Sequence, residues 1–156
     1  MTDTIDARLS ELGIDLPNPA APAANYVPYV KSANLVFISG QVTSWNGELQ
    51  FVGRLGDTLD VSQGYQAARI CGLNLLTQLR AACAGDLGKV QRVVKLGGFV
   101  NSTGDFTDQP KVINGTSDLM VEVFGQAKGS HARFAVSAPS LPFGVAVEVD
   151  GVFEVA

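Results

Sequence analysis

Between Ser62 and Ala84, apolar residues recur at three- and four-residue spacing. Ala68, Cys71, Leu75, Leu79 and Ala82 form a helical stripe that has to face a core. Gly85 follows where a helix-stopping glycine is expected. A second stripe of Val112, Thr116, Leu119 and Val123 runs to Gly125 as its stop, with Asp105 or Thr107 as candidate N-cap. The flanking segments have a period of two instead. NLVFISGQV (34–42) and RVVKLGGFV (92–100) are dense in β-branched and aromatic residues and predict strands. Asn46-Gly47 is a hairpin signal, which makes ELQFVG (48–53) the return strand of the first of these. HARFAVSA (131–138) sets Phe134, Val136 and Ala138 on one face and Arg133, Ala135 and Ser137 on the other. VAVEVDGVFEV (145–155) sets five apolar residues opposite Glu148, Asp150 and Glu154. The predicted order is β-β-α-β-α-β-β, an α+β domain with a mixed sheet. Two helices cover one face of such a sheet, so the other meets water or a partner.

Residues 4–13 predict a short helix with Ile5, Leu9 and Leu12 near one face. The four prolines of LPNPAAPAANYVPYV (16–30) exclude helix and predict an irregular surface arm. The organisation expected is an arm over 1–27 and one domain over 28–156, since 156 residues suit a single core. Charged residues make up 17%, below the ~25% usual for a soluble domain. That favours an apolar face hidden against another subunit. Arg133 and Glu148, each opposite its strand's apolar row, are then expected at or beside a subunit boundary.

Eleven Lys and Arg against fifteen Asp and Glu give a net charge of −4. The basic residues are scattered, which argues against nucleic acid, where cations must neutralise phosphates. Cys71 and Cys83 fall in one predicted helix, about 18 Å apart along its axis, beyond the roughly 7 Å a disulfide allows. They are expected as reduced core residues of a cytoplasmic protein. The acidic, amphipathic start MTDTIDARLSELG lacks the pattern of a signal peptide, and no stretch reaches 18 apolar residues. One histidine and two distant cysteines provide no transition-metal ligand set. GRLG (53–56) has neither the Walker lysine nor GxGxxG.

Arg133, between Ala132 and Phe134, needs an anionic partner. That partner is either a substrate carboxylate clamped by the planar guanidinium or a structural ion pair with Glu148 or another acid. Glu148 is either a general acid/base or part of a solvated strand face. His131, the sole histidine, opens a strand after Gly129-Ser130, a usual place for a surface residue, and no GxSxG elbow accompanies it.

The segment HARFAVSAPSLPFGVAVEVDGVFEV resembles the signature of the RidA/YjgF family (endoribonuclease L-PSP, chorismate-mutase-like fold), with its Arg-x-x-Val strand, Leu-Pro turn and central glutamate. PYVKSANLVFISGQV (28–42), NLLTQLRAA (74–82) and VVKLGGFVNSTGDF (93–106) match in order, and the longer start resembles one branch of the family with an extended N-terminus. The resemblance implies a homotrimer with sites in clefts between subunits, and hydrolysis of reactive enamines and imines without metal or cofactor. It implies Arg133 as the carboxylate anchor and Glu148 as the acid handling the water proton. It also implies Tyr29 and Asn114 as pocket side chains, Ser39 and Gly40 as backbone around the substrate carboxylate, and the Ala135 carbonyl as water-positioning group. SAPS (137–140) and GELQFVGRLGDTLDV depart from the commonest family pattern and reshape the expected cleft. A non-catalytic trimer binding small carboxylates is the alternative reading, with endoribonuclease activity third.

Overall fold

The computed structural model describes residues 4–21 and 24–156; residues 1–3 and 22–23, at the start and within the predicted arm, lie outside the described residues. Helix α1 (Thr4–Glu11) buries Leu9, with Ile5 and Leu12 packed beside it. Regular structure resumes directly after Pro28. Strand β1 (Tyr29–Ser32) pairs antiparallel with β2 (Leu35–Val42) across a turn in which Ala33 takes a φ of 53°. Tyr29 and Val30, which the proline content of 16–30 places in the arm, therefore belong to the sheet. A proline at 28 leaves the donors of 29–32 untouched, and an edge strand tolerates such a start.

The Asn-Gly turn forms as expected, with φ of 50° at Asn46 and 87° at Gly47. It joins two short strands, β3 (Ser44–Trp45) and β4 (Glu48–Leu49), in a separate ribbon. The expected return strand over 48–53 is absent from the main sheet. Phe51 takes a φ of 50° and turns the chain away; its carbonyl accepts from Ala146 N at 3.0 Å. The order β-β-α-β-α-β-β is kept in the main sheet, with 29–32 in the place of 48–53.

Helix α2 (Val61–Ala82) starts at a capping box formed by Asp60 and Gln63. Strand β5 (Val90–Asn101) leads to α3 (Gln109–Gly129), then to β6 (Ala132–Ala138) and β7 (Val147–Val155). The N-cap of α3 is Asp108, neither Asp105 nor Thr107. Asp105 instead accepts from Thr103 Oγ1 at 2.7 Å inside the loop, and Pro110 sits in the first turn of the helix. Gly125, at φ 79° and ψ 167°, interrupts α3 where a stop was predicted, and one further turn follows.

The main sheet has the order β1-β2-β7-β5-β6, antiparallel except for the β5–β6 pair that α3 bridges. Helices α2 and α3 cover one face. Their stripes meet Val36, Ile38, Leu96, Val100, Val147, Val149 and Phe153 in the core. On the opposite face lies the row that the helices leave open, where Val30, Phe37, Phe99, Phe134 and Val136 are exposed. Phe99 and Phe134 contact edge-to-face at 5.4 Å. The apolar row of β6 thus faces away from the helices, the reverse of its neighbours. Arg133 consequently points to the helix side, while Glu148 is on the open side, so the two do not share a face.

Candidate functional site

Strand β2 slips register against β7 between Ile38 and Gln41, and the residues in that bulge are Ser39 and Gly40. Several bonds hold the irregularity. Ser39 donates from its backbone to Pro28 O at 3.0 Å and from its hydroxyl to Val27 O at 2.8 Å. Gln41 Nε2 donates to Ser39 O at 2.9 Å. From below, Asn74 of α2 donates to Ser44 O at 2.6 Å, fixing where the chain leaves β2. Over the bulge lies Glu148 of β7. A Cβ on Gly40 would stand 2.5 Å from its Oε1, so the carboxyl occupies space that glycine alone provides. Burial, and secondly the charge of Asp150, push the Glu148 carboxyl above the ordinary glutamate range. Ser39, Gly40 and Glu148 line one cavity of about 570 Å³. Tyr29 is not in its wall. It stands opposite Ile38 in the ladder and packs against the core, and the tyrosine in the cavity wall is Tyr26.

Arg133 belongs to a second cluster at the other edge of the sheet. Its guanidinium donates to Ser117 Oγ at 3.0 Å and to Pro110 O at 3.1 Å, both on α3. Among the described residues no carboxylate pairs with it. Burial draws the guanidinium below its ordinary range, and Asp118 draws it partly back. Two of the five N–H donors of an arginine are thus engaged within the chain.

The expected surface histidine is also part of this cluster. His131 Nδ1 lies 2.6 Å from Gly129 O, a contact in which the ring nitrogen must donate. With the ring neutral, Nε2 then accepts from the Ser117 hydroxyl at 2.8 Å, which turns the serine lone pairs to Arg133. Ser117 was not legible as a site residue; its one signal is its place three residues after Asn114. Asn114 is exposed on α3, and Ala135, opposite Gly98, is on the Arg133 side of β6. The candidate residues therefore fall into two half-sites. Ser39, Gly40 and Glu148 form one; Arg133, Ala135 and Asn114 lie at the other. Strand β5 and the thickness of the sheet separate them within one chain.

This connectivity is that of the chorismate-mutase-like fold. Residues 6–153 match the YjgF/chorismate mutase-like family, to which the name endoribonuclease is also attached, and the chain belongs to that family. Among relatives, Protein TCP17 of Trypanosoma cruzi is 50% identical over 150 residues, which is 96% of this chain and 93% of that protein. The structure of Atu1372 from Agrobacterium tumefaciens superposes with a TM-score of 0.91 at 45% identity, over 99% of this chain and 94% of that one. E. coli TdcF, solved with bound serine, shares the fold at a TM-score of 0.60 and 21% identity, over 90% and 94% of the two chains. Among the described residues no helix is long and apolar enough to cross a membrane.

Proposed function

We propose that this protein hydrolyses reactive enamines and imines of the 2-aminoacrylate type to 2-oxo acid and ammonia, in clefts between the subunits of a homotrimer. The observation that carries the reading is the division into half-sites: an arginine on β6 with no carboxylate partner among the described residues, and a partly buried carboxyl on β7 over the glycine bulge of β2. Each is incomplete alone, and a neighbouring copy that brings β6 against the bulge completes both. The serine held by TdcF, a small molecule with a carboxylate, fits the same reading.

In the reaction, Arg133 of one copy fixes the substrate carboxylate and Asn114 borders it. The imine reacts in its protonated form. Water, oriented by the Ala135 carbonyl, adds through oxygen to the iminium carbon, and its proton passes to the ionised Glu148. Glu148 then gives that proton to the amine nitrogen. The C–N bond breaks with its electron pair on nitrogen and ammonia leaves. The hydroxyl proton passes to the Glu148 carboxylate as the carbonyl forms, and its release to solvent offsets the proton that entered on the imine. The balance is imine plus water to 2-oxo acid plus ammonia, and it calls for no metal or cofactor. The two free, buried cysteines suit a reducing compartment such as the cytoplasm.

The reading is tested by ammonia release from enzymatically generated 2-aminoacrylate. Acceleration over the uncatalysed rate, lost in Arg133→Ala, supports it. Binding of small 2-oxo acids without acceleration leaves the alternative, a carboxylate-binding trimer.

A further inference from the structure

In the single chain, before a neighbour's β6 is seated on the bulge, the cavity over Glu148 is larger than a three-carbon imine requires. Its volume of about 570 Å³ falls in the ~300–1,000 Å³ range of pockets that bury a drug-sized ligand. Its polar groups come from β2 and β7. The opposite wall comes from the N-terminal arm through Ala20, Ala21, Ala24 and Tyr26, with Leu49 of the ribbon and Phe143 beside it. That wall is fixed in place. The buried hydroxyl of Thr77 donates to Pro17 O at 2.8 Å, Asn18 N donates to Asn46 Oδ1 at 2.8 Å, and Gln78 donates to Ala20 O at 3.4 Å. Nearer β1, the Ser39 hydroxyl ties Val27 O to the bulge itself. Three alanines in the wall leave room where larger side chains would fill it.

We infer that the anchored arm makes this a size-selective site, whose preferred substrates and products are 2-imino and 2-oxo acids with a large apolar side chain. The inference rests on the proposed imine hydrolysis, with the polar end of the ligand at Glu148 and its side chain against the arm. Water in a wall of alanine, leucine and aromatic side chains makes few hydrogen bonds, and an alkyl or benzyl group releases it.

Two measurements test this on the full chain. Calorimetric titration with pyruvate, 2-oxobutanoate, 2-oxohexanoate and phenylpyruvate should show affinity rising about threefold per added methylene. Turnover of imines generated in place from alanine and leucine by an amino-acid oxidase should favour the leucine product by about tenfold or more in kcat/KM. Ala24→Phe, which fills the wall, should lower that ratio by about tenfold. If pyruvate binds and the alanine-derived imine turns over, but affinity and kcat/KM are flat or fall with chain length, the inference is overturned and the proposed function stands. If no 2-oxo acid binds and no imine is hydrolysed faster than in buffer, both are overturned.

Discussion

Arg133 and Glu148 are strained electrostatically in opposite senses: burial works against the charge of each. Their substitutions should fail differently. Arg133→Ala should weaken binding of small carboxylates and cost activity about 100-fold or more, since each charge-assisted hydrogen bond is worth ~1.5–3 kcal/mol. Arg133→Lys should restore little, because an ammonium lacks the planar fork. Glu148→Gln should leave carboxylate binding nearly intact and lower turnover by roughly 10²–10⁴. The pH dependence has a definite sign. Glu148 must be ionised to take the water proton, so kcat/KM falls as pH drops through its raised pKa, above the ~4.3 of an ordinary glutamate. Asp150→Asn removes the smaller of the two causes and should move that limb to lower pH, without bringing it to the ordinary value. An unmoved limb would mean that the Asp150 charge is not felt. A raised carboxyl also costs stability once ionised, as pH rises from the unfolded pKa through the folded one. Glu148→Gln should therefore melt no lower than wild type at neutral pH. That a charged residue interrupts each of these two strands is visible in the sequence, but the Ser117–His131 support of Arg133 is not. It depends on α3 passing the start of β6, a tertiary fact that no local pattern carries.

Among the described glycines, Gly115 leaves a Cβ the least room: it joins α2 and α3, where the carbonyl of Tyr65 and the amide of Arg69 occupy the space a Cβ would take. Backbone cannot swing aside as a side chain can. Gly115→Ala should push the helices apart and destabilise by about 1–3 kcal/mol. Gly104, with nothing near its Cβ position, should accept alanine with little change. Thermal melts of the two variants make the comparison, and an unshifted Gly115→Ala would contradict the packing described. The helices and four of the five sheet strands were legible because their periods are long and consistent. The remainder was hidden by competing local signals. Prolines masked β1, and a correct Asn-Gly turn suggested a return strand that the backbone at Phe51 turns out of the main sheet. On β6 the alternation was read correctly, but its apolar row was assigned to the wrong side. A row of Phe134 and Val136 marks a buried face, and a partner can bury it as well as a helix can.

At the scale of the whole molecule, that row sets the expected assembly. Val30, Phe37, Phe99, Phe134 and Val136 are exposed on the face the helices leave uncovered, and β6 lies at the sheet edge. Exposed apolar surface of this kind is what a protein contact would cover, and a low charged fraction of 17% is consistent with one. With a net charge of −4, binding to RNA should be weak and non-specific, and sub-micromolar affinity at physiological salt would contradict this. Light scattering at micromolar concentration should give three times the 16.4 kDa chain mass. Val136→Lys, which sets a charge in the open row without touching the helix-facing core, should shift the population to monomer. Because Arg133 and Glu148 lie on opposite faces of one chain, the dissociated variant should lose imine hydrolysis while keeping its fold by circular dichroism. Retained activity in a folded monomer would place both halves of the site within a single chain, and the inter-subunit mechanism would fall with it.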